Sequence, residues 1–121
     1  MLKESPFETR PRFLENELAY AIWDLFPVSP GHCLIVSRRV VADYFNLSAE
    51  EKLALWNLVD EGRQKILQLH GAQDFNIGVN CGEAAGQTIA HVHIHLIPRY
   101  AGDTPNPRGG VRGVIPGKQN Y

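Results

Sequence analysis

His91-Val92-His93-Ile94-His95-Leu96-Ile97-Pro98 alternates histidine with apolar side chains. A period of two is that of a β-strand, in which alternate residues share a face. His91, His93 and His95 are therefore expected to point one way, with Cβ atoms about 6.6 Å apart along the strand. Val92, Ile94 and Leu96 are expected to point into a core on the other face. Three of the chain's five histidines crowd this one stretch. Gly86-Gln87-Thr88 precedes it, and a glycine, an amide and a hydroxyl can together present donors to an anion.

Outward from this strand, Phe75 to Asn80 predicts a neighbouring strand, joined to it through Cys81 to Gly86. Further back, Ser48-Ala49-Glu50-Glu51 is a capping box, since the serine can cap and Glu51 can reach back to it. It predicts a helix from Ala49 to His70, ended by Gly71. Leu55, Leu58, Val59, Gly62, Ile66 and Leu69 recur at helical spacing and form its apolar stripe. Gly62 costs that helix about 1 kcal/mol relative to alanine, which a close approach to a sheet or a partner would explain. Val40 to Asn46 reads as a short helical turn. His32 stands after the turn Pro27-Val28-Ser29-Pro30-Gly31 and opens an apolar strand, Cys33 to Ser37. Arg12-Phe13-Leu14 and Leu18 to Asp24 predict two more strands, with Leu18, Tyr20, Ile22 and Asp24 on one face of the second.

The ends differ in composition. Residues 1–11, with Pro6 and Pro11, read as an irregular arm. Residues 104–121 are rich in glycine and proline and carry Arg108, Arg112 and Lys118, so no regular helix is expected there. At 121 residues the chain suits one domain. A net charge of −1 argues against bulk attraction to nucleic acid or an acidic membrane. No apolar run approaches the roughly 18 residues that span a bilayer, and Met1-Leu2-Lys3-Glu4 lacks the basic-then-apolar order of a signal peptide. Cys33 and Cys81 are expected as reduced thiols in a cytoplasmic protein, Cys33 as a core filler.

The order histidine-apolar-histidine-apolar-histidine, behind Gly86-Gln87-Thr88 and with Pro30-Gly31-His32 upstream, resembles the histidine triad (HIT) family from about Leu14 to Asp103. The resemblance implies an α+β fold: an antiparallel sheet of about five strands with one long helix and a short helical segment. It implies a two-fold homodimer, for which Leu53 and Trp56 beside the helical stripe are candidates, or else further core. It also implies nucleotide hydrolysis through a nucleotidyl-histidine, which needs no cofactor. His93 would attack the α-phosphorus while the carbonyl of His91 accepts its other N–H. His95 and Gln87 would contact the phosphate and bridging oxygen, with His95 carrying the leaving group's proton. His32 would pack beside the triad. Asp24, eight residues earlier, would hold the ribose hydroxyls. Asn80, with Gly86 and Thr88, would serve the phosphate. Ile22, Trp23 and Leu25 are candidates for the base pocket or for plain core.

Two imidazolium charges about 7 Å apart repel by roughly 2 kcal/mol at an effective dielectric of 20. The cluster should therefore resist holding several protons, with a neutral His93 beside a protonated neighbour. His95, where the related uridylyltransferases have glutamine, favours water as acceptor. Leu96-Ile97-Pro98-Arg99 resembles the dinucleoside polyphosphate hydrolases, with phosphoramidates as an alternative substrate. The classes that compete are a zinc protein using the triad and His32, and a nucleotide sensor without turnover. Zinc-bearing relatives carry Cys-x-x-Cys and a histidine where this chain has Ser5, Glu8 and Val40, so no structural zinc is expected. The tail is expected either to contact the polyphosphate or distal nucleoside, or to be solvated or brace the dimer.

Overall fold

Five strands and one long helix frame the computed structural model, which describes residues 4–121. The strands are β1 (Leu14–Glu15), β2 (Ala19–Trp23), β3 (Cys33–Ser37), β4 (Asp74–Val79) and β5 (His93–Arg99). They form one sheet in the order β1-β2-β3-β5-β4, and every neighbouring pair is antiparallel. The long helix, α1, spans Ala49–His70. Single 3-10 turns lie at Tyr44–Asn46, Glu83–Ala85 and Gly110–Val114.

The ends of α1 follow from local chemistry. Ser48 and Glu51 close the capping box in both directions, at 3.1 and 2.9 Å, and Gly71 takes the left-handed C-cap at φ 71°. The Glu51 carboxylate also accepts from Arg39 Nη2 and Nε, at 2.8 and 3.0 Å. That pairing, with the cap, holds Glu51 down to about 2.

One face of the sheet packs on α1. Ala21, Ile35 and Ile94 are paired in register across three strands, and Cys33 stands opposite Leu96. All are buried with Leu55, Leu58, Val59 and Ile66 of the helix. Gly62 explains its own presence: a Cβ there would sit 3.1 Å from a Leu96 methyl. Leu69, expected on the buried stripe, is exposed instead. Cys33 is a core filler, its thiol pushed up to about 12 by burial, and neither it nor Cys81 is in a disulfide.

The opposite face carries Tyr20, Val36 and His93 in one cross-strand row and Ile22, Leu34, His95 and Gly78 in the next. The arm lays Phe7 over this face, buried with Tyr20, Ile22, Leu34 and Val36. The tail meets it at the far side, against β4. β1 is shorter than the sequence suggests: Phe13 lies outside it, although its N–H still donates to the Ala21 carbonyl at 3.0 Å, and its ring stacks on Trp23 at 3.8 Å. No helix among the described residues is long and apolar enough to cross a membrane.

Candidate functional site

His93 lies at the start of β5 with its ring orientation fixed by its own strand. Nδ1 is 2.7 Å from the carbonyl oxygen of His91. A carbonyl can only accept, so Nδ1 carries the proton and Nε2 keeps its lone pair. Burial lowers the His93 pKa, opposed by that hydrogen bond to His91. The resting ring is a neutral imidazole with one nitrogen free to attack.

His95 is set by a second chain of bonds. The Val28 N–H donates to His32 Nδ1 at 3.1 Å, so neutral His32 carries its proton on Nε2. That N–H faces His95 Nδ1 at 3.0 Å and an Asp24 oxygen at 3.3 Å. His95 Nδ1 is then an acceptor, which leaves the His95 proton on Nε2. Burial is the main reason that the His95 pKa is depressed to about 4, and the neighbouring His93 and His32 add to it. The free protein therefore holds His95 neutral, and not protonated near pH 7 as the sequence suggests. Burial contributes more than the charge crowding that sequence spacing reveals. A bound anion would move the balance back toward the imidazolium.

The loop before His32 is pinned to the end of β5. Ser29 donates to the Pro98 carbonyl at 2.6 Å and Tyr100 to the Pro30 carbonyl at 2.5 Å. Those anchors place His32 next to a strand more than sixty residues away in sequence.

His91 precedes β5, and its ring is completely buried, on the histidine face 5.6 Å from the ring of Phe7. Nε2 donates to the Ser37 carbonyl at 2.6 Å. Nδ1 must then accept the proton of the Ser5 hydroxyl, 2.5 Å away, while Ser5 Oγ accepts from the Phe7 N–H. The Phe7 ring lies edge-on to His93 at 4.9 Å. His91 thus contributes its carbonyl to the site and its ring to the arm. Ser5 and Phe7 belong to the site's support, and the sequence offered no signal for them beyond an aromatic in an irregular stretch.

The remaining candidates divide. Asp24 joins the site, with one oxygen accepting from the Phe26 N–H and the other beside His32. Asn80 lines the cavity that opens at His95. Gly86 and Thr88 are exposed at the loop leading to His91. Gln87 differs from expectation: its amide accepts from the Gly82 N–H and donates to the Ala42 and Ile89 carbonyls. Both amide hydrogens are therefore committed to holding the loop rather than turned to a phosphate. Ile22 shares the histidine face but is buried core. Trp23 takes the plain-core alternative on the opposite face, where it packs on Phe13 and the helix-side core. Leu25 is exposed beside Asp24.

One ligand atom each of Asp24, His32 and His95 lies within 4.8 Å of the others. A cation there would need the lone pair of His32 Nε2. Neutral His32 would then carry its proton on Nδ1, facing the Val28 N–H donor. The donor set fits the hydrogen-bond chain better than a metal.

Residues 8–102 match the HIT domain. The chain belongs to the HIT family. It is 37% identical over 100 residues to the bifunctional bis(5'-adenosyl)-triphosphatase/adenylylsulfatase FHIT of Arabidopsis thaliana, covering 81% of this chain and 56% of that protein. It is 32% identical over 107 residues to an AP-4-A phosphorylase of Mycobacterium tuberculosis, covering 81% of this chain and 55% of that one. Among solved structures, the diadenosine triphosphate hydrolase of Plasmodium falciparum, in complex with cyclomarin A, superimposes with a TM-score of 0.75 at 31% identity. That match covers 82% of this chain and 67% of the other. The chain spans about half the length of the curated relatives it matches. The HIT match ends before the Gly/Pro-rich tail.

Proposed function

We propose that this HIT chain hydrolyses dinucleoside polyphosphates, diadenosine tri- or tetraphosphate in kind, at the α-phosphorus. The observation that carries the reading is the fixed tautomer of His93, with Nδ1–H on the His91 carbonyl and Nε2 unencumbered. The names of the relatives support the substrate class.

Nε2 of His93 forms a bond to the α-phosphorus as the bridging P–O bond breaks. The positive charge that develops on the His93 ring is shared with the His91 carbonyl through Nδ1–H. Binding of the polyphosphate anion raises the basicity of His95, which takes up a second proton from solvent, and the resulting imidazolium gives its Nε2 proton to the leaving oxygen. Water then attacks the nucleotidyl-His93, returns a proton to His95 and releases the mononucleotide. Asp24 accepts from the ribose hydroxyls, and Asn80 and Thr88 donate to the phosphate. Gln87 acts by holding the loop that carries Thr88. The protein works as a two-fold homodimer in the cytoplasm. Leu53 is 62% and Trp56 39% exposed on the outer side of α1, as an interface residue in an isolated chain would be. Sedimentation of wild type against Leu53→Lys checks that assembly.

The test is turnover of diadenosine tri- and tetraphosphate, with adenosine phosphoramidate as the alternative substrate and products separated by chromatography. The expected product is AMP. ADP formed only when inorganic phosphate is added would instead place the chain with the phosphorylase relative. Two in-line displacements retain configuration at a chirally labelled α-phosphorus, so inversion there would overturn the covalent mechanism. Binding without turnover would make the chain a sensor.

A further inference from the structure

A cavity of about 500 Å³ opens beside His95, within the roughly 300–1,000 Å³ of small-molecule sites. His95, His32, Gly78 and Ile97 line it, and Val111 and Val114 supply a further part of the wall. His93 does not line it. The register creates the space. Gly78 stands opposite His95, and a Cβ on Gly78 would meet nothing within 4 Å.

That part of the wall belongs to the tail, which is closed on itself. Gly109 has φ +84°, and a Cβ there would lie 1.8 Å from the Gln119 carbonyl oxygen. Asn106 donates to Asn120 at 3.1 Å. The Arg108 and Arg112 guanidiniums sit over the Tyr121 ring at 5.1 and 4.9 Å. These cations are spent on the tail's own closure and do not line the cavity. What the tail does present is apolar and open: Val111 is 59% and Val114 76% exposed.

We infer that this cavity is the subsite for the nucleoside of the leaving group, and that the segment Gly110–Val114 selects dinucleotides over mononucleotide substrates. The inference rests on the hydrolase reading for the direction in which the leaving group departs. Attack by His93 puts the leaving oxygen on the far side of phosphorus, toward His95. What is attached to that oxygen runs past His95 into the cavity. The lining carries no lysine, arginine or carboxylate, so it suits an uncharged planar base and ribose rather than the phosphate chain. A polar edge comes from one amide: Asn76 Oδ1 is taken by Arg99 at 2.6 Å, which leaves its NH₂ to donate to a ring nitrogen.

The experiment compares the full-length protein with Val111→Ser/Val114→Ser. Both side chains are exposed, so the fold does not depend on them. The ligands are AMP and a methylene-bridged diadenosine triphosphate, which resists cleavage. The preference of wild type for the dinucleotide over AMP should fall by about ten-fold in the double variant, as expected for loss of apolar contact in a pocket. A fall of less than about three-fold overturns the inference. Wild-type turnover of diadenosine triphosphate is measured alongside. Its absence, with the binding preference lost in the variant, would overturn the hydrolase reading and leave the subsite standing.

Discussion

His32 cannot take a second proton without giving up the Val28 N–H, and His93 cannot take one without losing its attacking lone pair. Both pKa values are lowered, chiefly by burial. Activity toward a substrate with a good leaving group should therefore stay level from pH 8 to below the ordinary histidine value of about 6.5, and fall only in more acid solution. A pH–rate profile with its acid limb centred above that value would contradict the assignment. His93→Ala should lower kcat by at least about a thousand-fold while AMP still binds, because catalysis and ground-state binding are separable. Ser5→Ala reads the support instead. It strips the donor from the buried His91 Nδ1 and should cost about 1–3 kcal/mol of stability, the penalty for an unsatisfied buried polar group. It should lower kcat more than it raises KM, since the His91 carbonyl orients His93. Urea unfolding and steady-state kinetics check the two halves. Residue roles were legible where they depend on strand alternation. Period two also separates Ile22 from Trp23, and the structure puts them on opposite faces. His91 was legible only in part. Its ring answers to Ser37 and Ser5, 54 and 86 positions away, and no local pattern encodes those partners.

At the scale of elements, α1 could be read almost to the residue because each signal is local: the capping box, the apolar stripe and the terminal glycine lie within a few positions of what they control. Gly62 was the one anomaly, and its cause is the sheet beneath it. Gly62→Ala places a Cβ 3.1 Å from the end of a flexible leucine. The small displacement is set against a helix-propensity gain of about 1 kcal/mol, so stability should change little. Gly62→Val adds branches that Leu96 cannot clear, and should destabilise by about 1–3 kcal/mol, the usual cost of overpacking. Denaturant midpoints for the pair give the comparison. If valine is tolerated as well as alanine, the helix does not pack as closely as the distance says. The strand ends were less legible than the helix ends. β1 keeps only Leu14–Glu15, and the Phe13 ring beside it stacks on Trp23, a contact that propensity does not foresee.

The whole molecule concentrates its titratable risk in one place. Four histidines, His32, His91, His93 and His95, all have pKa values lowered in the folded state, and burial is the largest cause for each. The unfolded chain binds protons at these sites near pH 6.5, before the folded chain does. Between that value and the lower folded ones, the unfolded state holds more protons, so stability must fall as the pH falls. Each site adds up to about 1.4 kcal/mol per pH unit within its own window. For His95 that window reaches down to about 4. Glu51 and Asp103, both held near 2 by arginine partners, lose their contributions only further into acid. The first loss below neutrality is therefore a histidine loss. Urea midpoints should drop steadily from about pH 6.5 to pH 5, and His95→Asn should flatten that slope by removing a site whose window covers the whole interval. A variant as steeply pH-dependent as wild type would mean that His95 is not held neutral in the folded protein. Its resting proton would then have to be counted in the first chemical step.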